Sequence, residues 1–235
     1  FSPKPDFIDS KWSSHYAQYD PAQANALLDQ TGAVDRDGDG FRELPNGDPL
    51  VINIDFATQG IGGGEVELVA RHWNDVGVKT LFKEVTPDEY RSAQSSNQLD
   101  VGAWQKNQPI AIILGESELF VPPYENYFGH TTAIKWAEYI DSNGSSGIKP
   151  PQYAYDLIDT VNTFQSASAG SAESHAAGNK MVELLVENLL FIGTVAAPYP
   201  VFHRNALKNV TQFKVASYNY YRTFPYLPQQ WYLAE

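Results

Sequence analysis

The chain contains no cysteine, which excludes thiol nucleophiles, thiolate metal sites and disulfides. It also lacks any apolar run fit to span a bilayer. The longest, around Ile110 to Leu114 and Leu184 to Ile192, are too short or too interrupted against the roughly 20 apolar residues required. Basic residues are few, 16 Lys and Arg against 28 Asp and Glu for a net charge of −12. With no Lys/Arg cluster to neutralise phosphates, the charge argues against nucleic-acid binding. No GxSxG, HExxH or P-loop pattern occurs. The histidines, His15, His72, His130, His175 and His203, are scattered without metal-ligand spacing. The first residues, FSPKPDFIDS, show no initiating Met, charged n-region or apolar h-region, as expected of a processed or excised piece.

What is present describes a folded protein. A length of 235 residues and a hydrophobic fraction of 43% suffice for one large or two small domains with a real core. After an extended lead-in over residues 1–19, YDPAQANALLDQTG reads as a helix. Asp20 can cap it, Pro21 fits its first position, Ala24, Leu27 and Leu28 make an apolar face, and Gly32 stops it. An acidic turn and an NGDP turn at 46–49 follow, then LVINIDF alternates as a strand, so the stretch reads as a hairpin leading into a sheet.

GIGGGEVELVARHWNDVGV pairs a glycine run with a helix whose Val66, Val69 and Trp73 recur at three and four. KTLFKEV reads as a strand, TPDEYRSAQSS as a short helix capped by Thr86 with Pro87 first inside, and LDVGAWQ as another strand. Strands alternating with helices over short connections predict an α/β layer with helices packed on a sheet. The middle third, from Gln105 to Pro151, is rich in Pro, Gly, Tyr and Trp and predicts long loops around a helix in HTTAIKWAEYI; such loops are often functional. Two longer helical patterns follow, marked by Leu157, Val161 and Phe164 and by Met181, Leu184 and Leu185. FIGTVAAPYPVFHRNALKNV then turns to strand and proline-containing loop.

Taken in order, these signals resemble the C-terminal lobe of the extracytoplasmic solute-binding proteins of ABC importers, family 5, the peptide, oligopeptide and nickel class. The stretches that carry the likeness are YDPAQANALLDQTGAVDRDGDGFRELPNGDPLVINI, EVELVARHWNDVGVKTLFKEVTPDEYRSAQSSNQLDVGAWQ and ENLLFIGTVAAPYPVFHRNALKNV. The resemblance covers about residues 15–210 and implies a type II periplasmic-binding-protein-like lobe, α/β with a mixed sheet. Residues 1–235 would be this single lobe, with a larger N-terminal lobe across the cleft absent. It further implies a non-enzymatic part in peptide or other solute transport, an ABC permease as partner, and an extracytoplasmic location, periplasmic or on the cell surface, with any membrane association through an anchor outside this chain.

In that class the lobe contributes strand ends and the loops after them. The resemblance therefore points to Trp104, at the end of the Asp-led strand, and to Thr194, Val195 and Tyr199 in the loop after the closing helix. An indole can cover a ligand face and a Thr hydroxyl can hold a carbonyl or carboxylate, although a Trp at a strand end is more often core. Tyr124 and Tyr127 in VPPYENYFGH are further candidates to line or lid a cleft, with a packed aromatic loop or a contact with the absent lobe as the plainer reading.

The acidic turn AVDRDGDGFREL begins like an EF-hand loop. Counted from Asp35, the ligand positions 1, 3 and 5 fall on Asp35, Asp37 and Asp39, with the Phe41 carbonyl and Glu43 at 7 and 9. The twelfth position is Asn46, so the bidentate closing carboxylate is missing. Any calcium site here is expected to be open and weak unless Asp48 swings in, and a turn built by Asp and Gly explains the same letters. Two other classes stay in view. One is a calcium-stabilised extracellular interaction module. The other is a carboxylate-dependent hydrolase using a pair such as Glu116 and Glu118 or Asp156 and Asp159.

Overall fold

The computed structural model describes residues 5–57, 60–104, 133–194, 202–210 and 227–234. They form two compact units, one of residues 13–57, 60–104 and 133–149, the other of residues 5–12, 150–194, 202–210 and 227–234. No helix among the described residues is long and apolar enough to cross a membrane.

The first unit is built on a parallel sheet. It begins with helix α1, Pro21–Gln30, whose Asp20 cap accepts the Gln23 N–H at 2.9 Å. The apolar face expected there is only partly used, since Leu27 is 54% exposed. What ties α1 down is Arg42, buried among polar partners. Its guanidinium donates to Asp29 Oδ1 at 2.6 Å, Asn25 Oδ1 at 2.7 Å, the Ala33 carbonyl at 2.5 Å and the Val76 carbonyl at 2.8 Å. A planar fork with fixed donors can bridge several acceptors at once, which a Lys cannot. Gly77 makes this possible from the other side. Its φ of +84° favours glycine, and a Cβ there would meet the Arg42 side chain at 3.0 Å.

Strand β1, Val51–Ala57, pairs in parallel with β2, Lys79–Val85, and with β3, Val101–Ala103, in the order β2-β1-β3. The hairpin expected ahead of it takes the form of isolated antiparallel bridges, Val34 with Glu43 and Glu43 with Pro49. Helix α2, Gly63–Asn74, connects β1 to β2, and α3, Pro87–Ser95, connects β2 to β3. These crossovers run in opposite directions across the sheet, so right-handed connections place the helices on opposite faces. Burial follows that rule. Ile54 and Phe56 of β1 pack with Val66 of α2, joined by Val69, Trp73, Val101 and Ala103. Ala57, on the alternate face, packs with Val85 and with Tyr90 of α3. Thr86 and Glu89 cap α3 reciprocally as the sequence suggests, Glu89 N–H to Thr86 Oγ1 at 3.2 Å and Thr86 N–H to Glu89 Oε2 at 2.9 Å. Helix α4, Ile134–Asp141, closes the described part of this unit.

The second unit is a helix pair, α5 from Gln152 to Ser166 and α6 from Ala172 to Glu187, packed on each other. Leu157 and Met181 are both 0% exposed and form its centre with Val161, Val182 and Leu184. The lead-in segment docks on α6. Phe7 stacks on His175 with ring centroids 4.4 Å apart, and Asn179 accepts the Asp9 N–H at 2.8 Å while donating to the Phe7 carbonyl. A short antiparallel pair, β4 at Leu207–Lys208 with β5 at Tyr232–Leu233, completes it. Parallel and antiparallel pairing thus both occur, and helices cover the parallel sheet, as expected for an α/β lobe.

Candidate functional site: the carboxyl ends of β1 and β3

From β1 the chain runs outward to β2 and then returns across β1 to β3. In open parallel sheets such a reversal marks the switch point, and ligands bind in the crevice outside the carboxyl ends of the strands there. Two turns meet this description. After β1 comes the glycine run that starts α2, and after β3 comes Trp104.

Trp104 is half-buried and packs against the Ala57, Val85 and Tyr90 cluster. Its ring lies 5.0 Å from that of Tyr90, tilted by 46°. The indole passes so close over Gly60 that a Cβ there would fall 2.9 Å from the ring. Glycine is therefore what lets the Trp lie down on the β1 turn, and the indole also packs on the core behind it. Tyr90 is buried, and burial together with the neighbouring Asp55 carboxylate pushes its phenol up to about 12. The hydroxyl stays protonated at neutral pH.

Helix α2 starts after β1 with Gly62 as its N-cap and no side-chain cap from that residue. Gly62, Gly63 and Gly64 are exposed and Glu65 is half-buried. The Glu65 carboxylate reaches back to fill the space where a Cβ on Gly62 would project. Sequence reasoning passed over Gly60, Glu65 and Tyr90. The available signal was the glycine run set directly between a strand and a helix, the position where backbone must approach a ligand or another side chain closely.

Of the other predicted ligand residues, Thr194 is exposed beyond the end of α6 and belongs to the helical unit, whereas Trp104 belongs to the sheet unit. Val195, Tyr199, Tyr124 and Tyr127 lie outside the described residues. Of the acidic pairs considered for catalysis, Asp156 and Asp159 are exposed on α5, with Asp156 accepting from Gln152 at 2.9 Å, and Glu116 and Glu118 lie outside the described residues.

The acidic turn gathers as expected. Carboxylate oxygens of Asp35, Asp37, Asp39 and Glu43 lie within 4.8 Å of one another, the three Asp exposed and Glu43 half-buried. Such a set could hold a metal ion. Yet each carboxylate already serves the turn itself. Asp35 accepts the Gly38 and Gly40 N–H groups at 2.7 and 3.0 Å, Asp37 that of Asp39 at 3.1 Å, and Asp39 that of Phe41 at 2.8 Å. Glu43 accepts the Arg36 N–H at 2.7 Å and lies 3.9 Å from its guanidinium. A cation would have to share Glu43 with an Arg. Asp48, considered as a closing ligand, is instead bonded to Asn46 at 2.7 Å.

No family model and no curated protein matches this sequence. Solved structures do match its fold. The oligopeptide-binding protein OppA aligns over 97% of this chain and 38% of its own length, at a TM-score of 0.72 and 23% identity. The periplasmic binding protein MelB of Agrobacterium fabrum, in complex with stachyose, covers 79% of this chain and 27% of its own, at a TM-score of 0.60 and 18% identity. A mannohexaose-bound periplasmic oligopeptide-binding protein of an oligopeptide ABC transporter from Thermotoga maritima covers 80% and 33%, at 0.53 and 19%. The fold is therefore that of a periplasmic-binding-protein-like lobe. The chain spans less than two fifths of each of these proteins.

Proposed function

We propose that this chain is the C-terminal lobe of a solute-binding component of an ABC importer. It captures an oligopeptide or a similar solute in an interlobe cleft and delivers it, without a catalytic step, to permease subunits from the extracytoplasmic side. The observation that carries this reading is the position of Trp104. The support is an indole braced by Gly60 and Tyr90 at the carboxyl ends of a parallel sheet, where open α/β sheets commonly take ligands, in a fold similar to that of oligopeptide-binding proteins. Thr194, Val195, Tyr199, Tyr124 and Tyr127 remain the further candidates for solute contact that the family resemblance implies. Closure of the cleft by a hinge would turn binding into a signal for the permease.

The test is a titration of the isotope-labelled chain with trialanine, trilysine and stachyose, read by NMR at the backbone amides of Gly60, which lies under the Trp104 ring, and of Ala103 beside it. A saturable shift is expected with at least one of them, lost in Trp104→Ala and largely kept in Trp104→Phe. Shifts that ignore both substitutions would remove Trp104 from the site and the reading with it.

The acidic turn supports a second, structural role: one calcium ion held by Asp35, Asp37, Asp39, the Phe41 carbonyl and Glu43, with its other ligands from water because no bidentate carboxylate closes the loop. At about tenfold excess over its dissociation constant, calcium is expected to raise the melting temperature by about 3–5 °C. Asp37→Asn should abolish the rise. If calcium and a chelator give the same melting curve, the turn is a turn only. A gain much larger than this, without any solute binding, would favour a calcium-stabilised extracellular interaction module.

A further inference from the structure

We propose that Tyr90, Gln94 and Asp55 form a polar notch between α3 and the sheet that takes one hydroxyl group of the solute bound at Trp104; the proposal rests on the solute-binding reading above. Tyr90 and Gln94 lie one turn apart on the same flank of α3 and are only 2% and 9% exposed. Asp55 projects from β1 on the side that α3 covers. It stands two residues before Ala57, which packs with Tyr90, so both β1 residues point to the same face of the sheet. Gly102 of β3 faces Asp55 in register, and the Tyr90 hydroxyl occupies the place where a Gly102 Cβ would project. The phenol oxygen is therefore about one strand spacing, roughly 5 Å, from the base of the Asp55 side chain. That proximity agrees with the raised Tyr90 phenol, to which burial contributes most and Asp55 next.

None of the three side chains makes a hydrogen bond or an ion pair among the described residues. Buried polar groups are nearly always paired, so unpaired ones converging on one spot mark a place for a small polar group. Their polar atoms keep some contact with solvent, which leaves a way in. Together they call for a group that both accepts and donates. The phenol O–H and the Gln94 amide N–H can donate, and the Asp55 carboxylate can only accept. A hydroxyl meets both demands with one atom. An ammonium accepts nothing, and Lys83, which faces Asp55 in register on β2, already puts a cation on this side of the sheet. A solute carboxylate would be repelled by Asp55. The Trp104 ring lies 5.0 Å from that of Tyr90, so one solute can cover the indole and reach the notch.

The experiment compares triserine with trialanine, which differ only in their hydroxyl groups, by NMR titration of the isotope-labelled chain read at the Gly102 amide. Triserine is expected to bind the wild type roughly three- to tenfold more tightly. Tyr90→Phe keeps the ring and removes the hydroxyl; Gln94→Met keeps the side-chain length and removes the amide. Each should remove most of the advantage of triserine over trialanine. Equal affinity of the two peptides for the wild type, or an advantage that survives both substitutions, would overturn the proposal and leave the notch to water only. If neither peptide binds the wild type, the solute-binding reading falls and glycerol decides the notch. A saturable shift of the Gly102 amide by glycerol, abolished in Tyr90→Phe, upholds a hydroxyl site there, and no such shift overturns it.

Discussion

The two units differ in how they are held. The helical unit is centred on neighbours in sequence, α5 and α6 packing Leu157 and Met181 out of water. The sheet unit draws together strands separated by whole helices and adds a polar anchor, Arg42, that links α1, the turn after it and the turn before β2. The difference shows why the candidate site falls where it does. Parallel strands end side by side, so turns far apart in sequence come together at one end of the sheet. A helix pair offers flanks and no such shared end.

The anchor gives the sharpest way to break this comparison. Arg42→Ala leaves Asp29, Asn25 and two carbonyls without their donor and is expected to cost about 4 kcal/mol. Hydrogen exchange should speed up in α1, around Gly77 and in β2, while α5 and α6 keep their protection. Next in size, Met181→Ala opens a cavity at the centre of the helix pair, for about 3 kcal/mol. Its exchange pattern should be the reverse, and equal loss in both units from either change would show that they unfold as one.

A pH measurement sharpens the picture of the sheet unit. The Tyr90 phenol in the folded chain is raised from 10.0 to about 12, so the unfolded chain gives up its proton first. The stability this group contributes is complete below pH 10 and is lost as pH rises through about 12. Tyr90→Phe should flatten that alkaline fall, followed by urea unfolding at pH 8 and 11. The smallest effect is expected at the α3 cap, where Thr86→Ala should cost about 1 kcal/mol. Hydrogen bonds from the Thr86 backbone and side chain hold the Glu89 carboxyl below its ordinary value. This cap therefore helps above that ordinary value and fades as pH falls through the lowered one, a slope that Thr86→Ala should remove.

Much of the sheet unit was legible beforehand, because its signals are local. Thr86 with Pro87 and Glu89, Asp20 with Pro21, and the alternation of β1 each depend on residues within a turn or two of one another. The apolar face of α1 misled, because Ala24, Leu27 and Leu28 have the right spacing but Leu27 faces solvent; a buried Arg from beyond the next turn does the holding. The acidic turn was legible as a cluster. That its carboxylates are spent on its own N–H groups and on Arg36 was not.

The candidate site divides the same way. Trp104 was picked as a strand-end residue through the family resemblance that the order of elements carries. Its partners, Gly60 beneath the ring and Tyr90 beside it, lie on other elements and became visible only with the strand order β2-β1-β3.

By itself the sequence determined which segments are helices and strands, where most of them start and stop, and that the assembly is α/β, since periodicity, capping and turn chemistry act over a few residues. The tertiary structure alone decided which face each helix covers, that Arg42 replaces an apolar seal for α1, and that the Trp104 indole lies over Gly60. Those are outcomes of packing between segments tens of residues apart, and no short-range pattern in the chain encodes such distances.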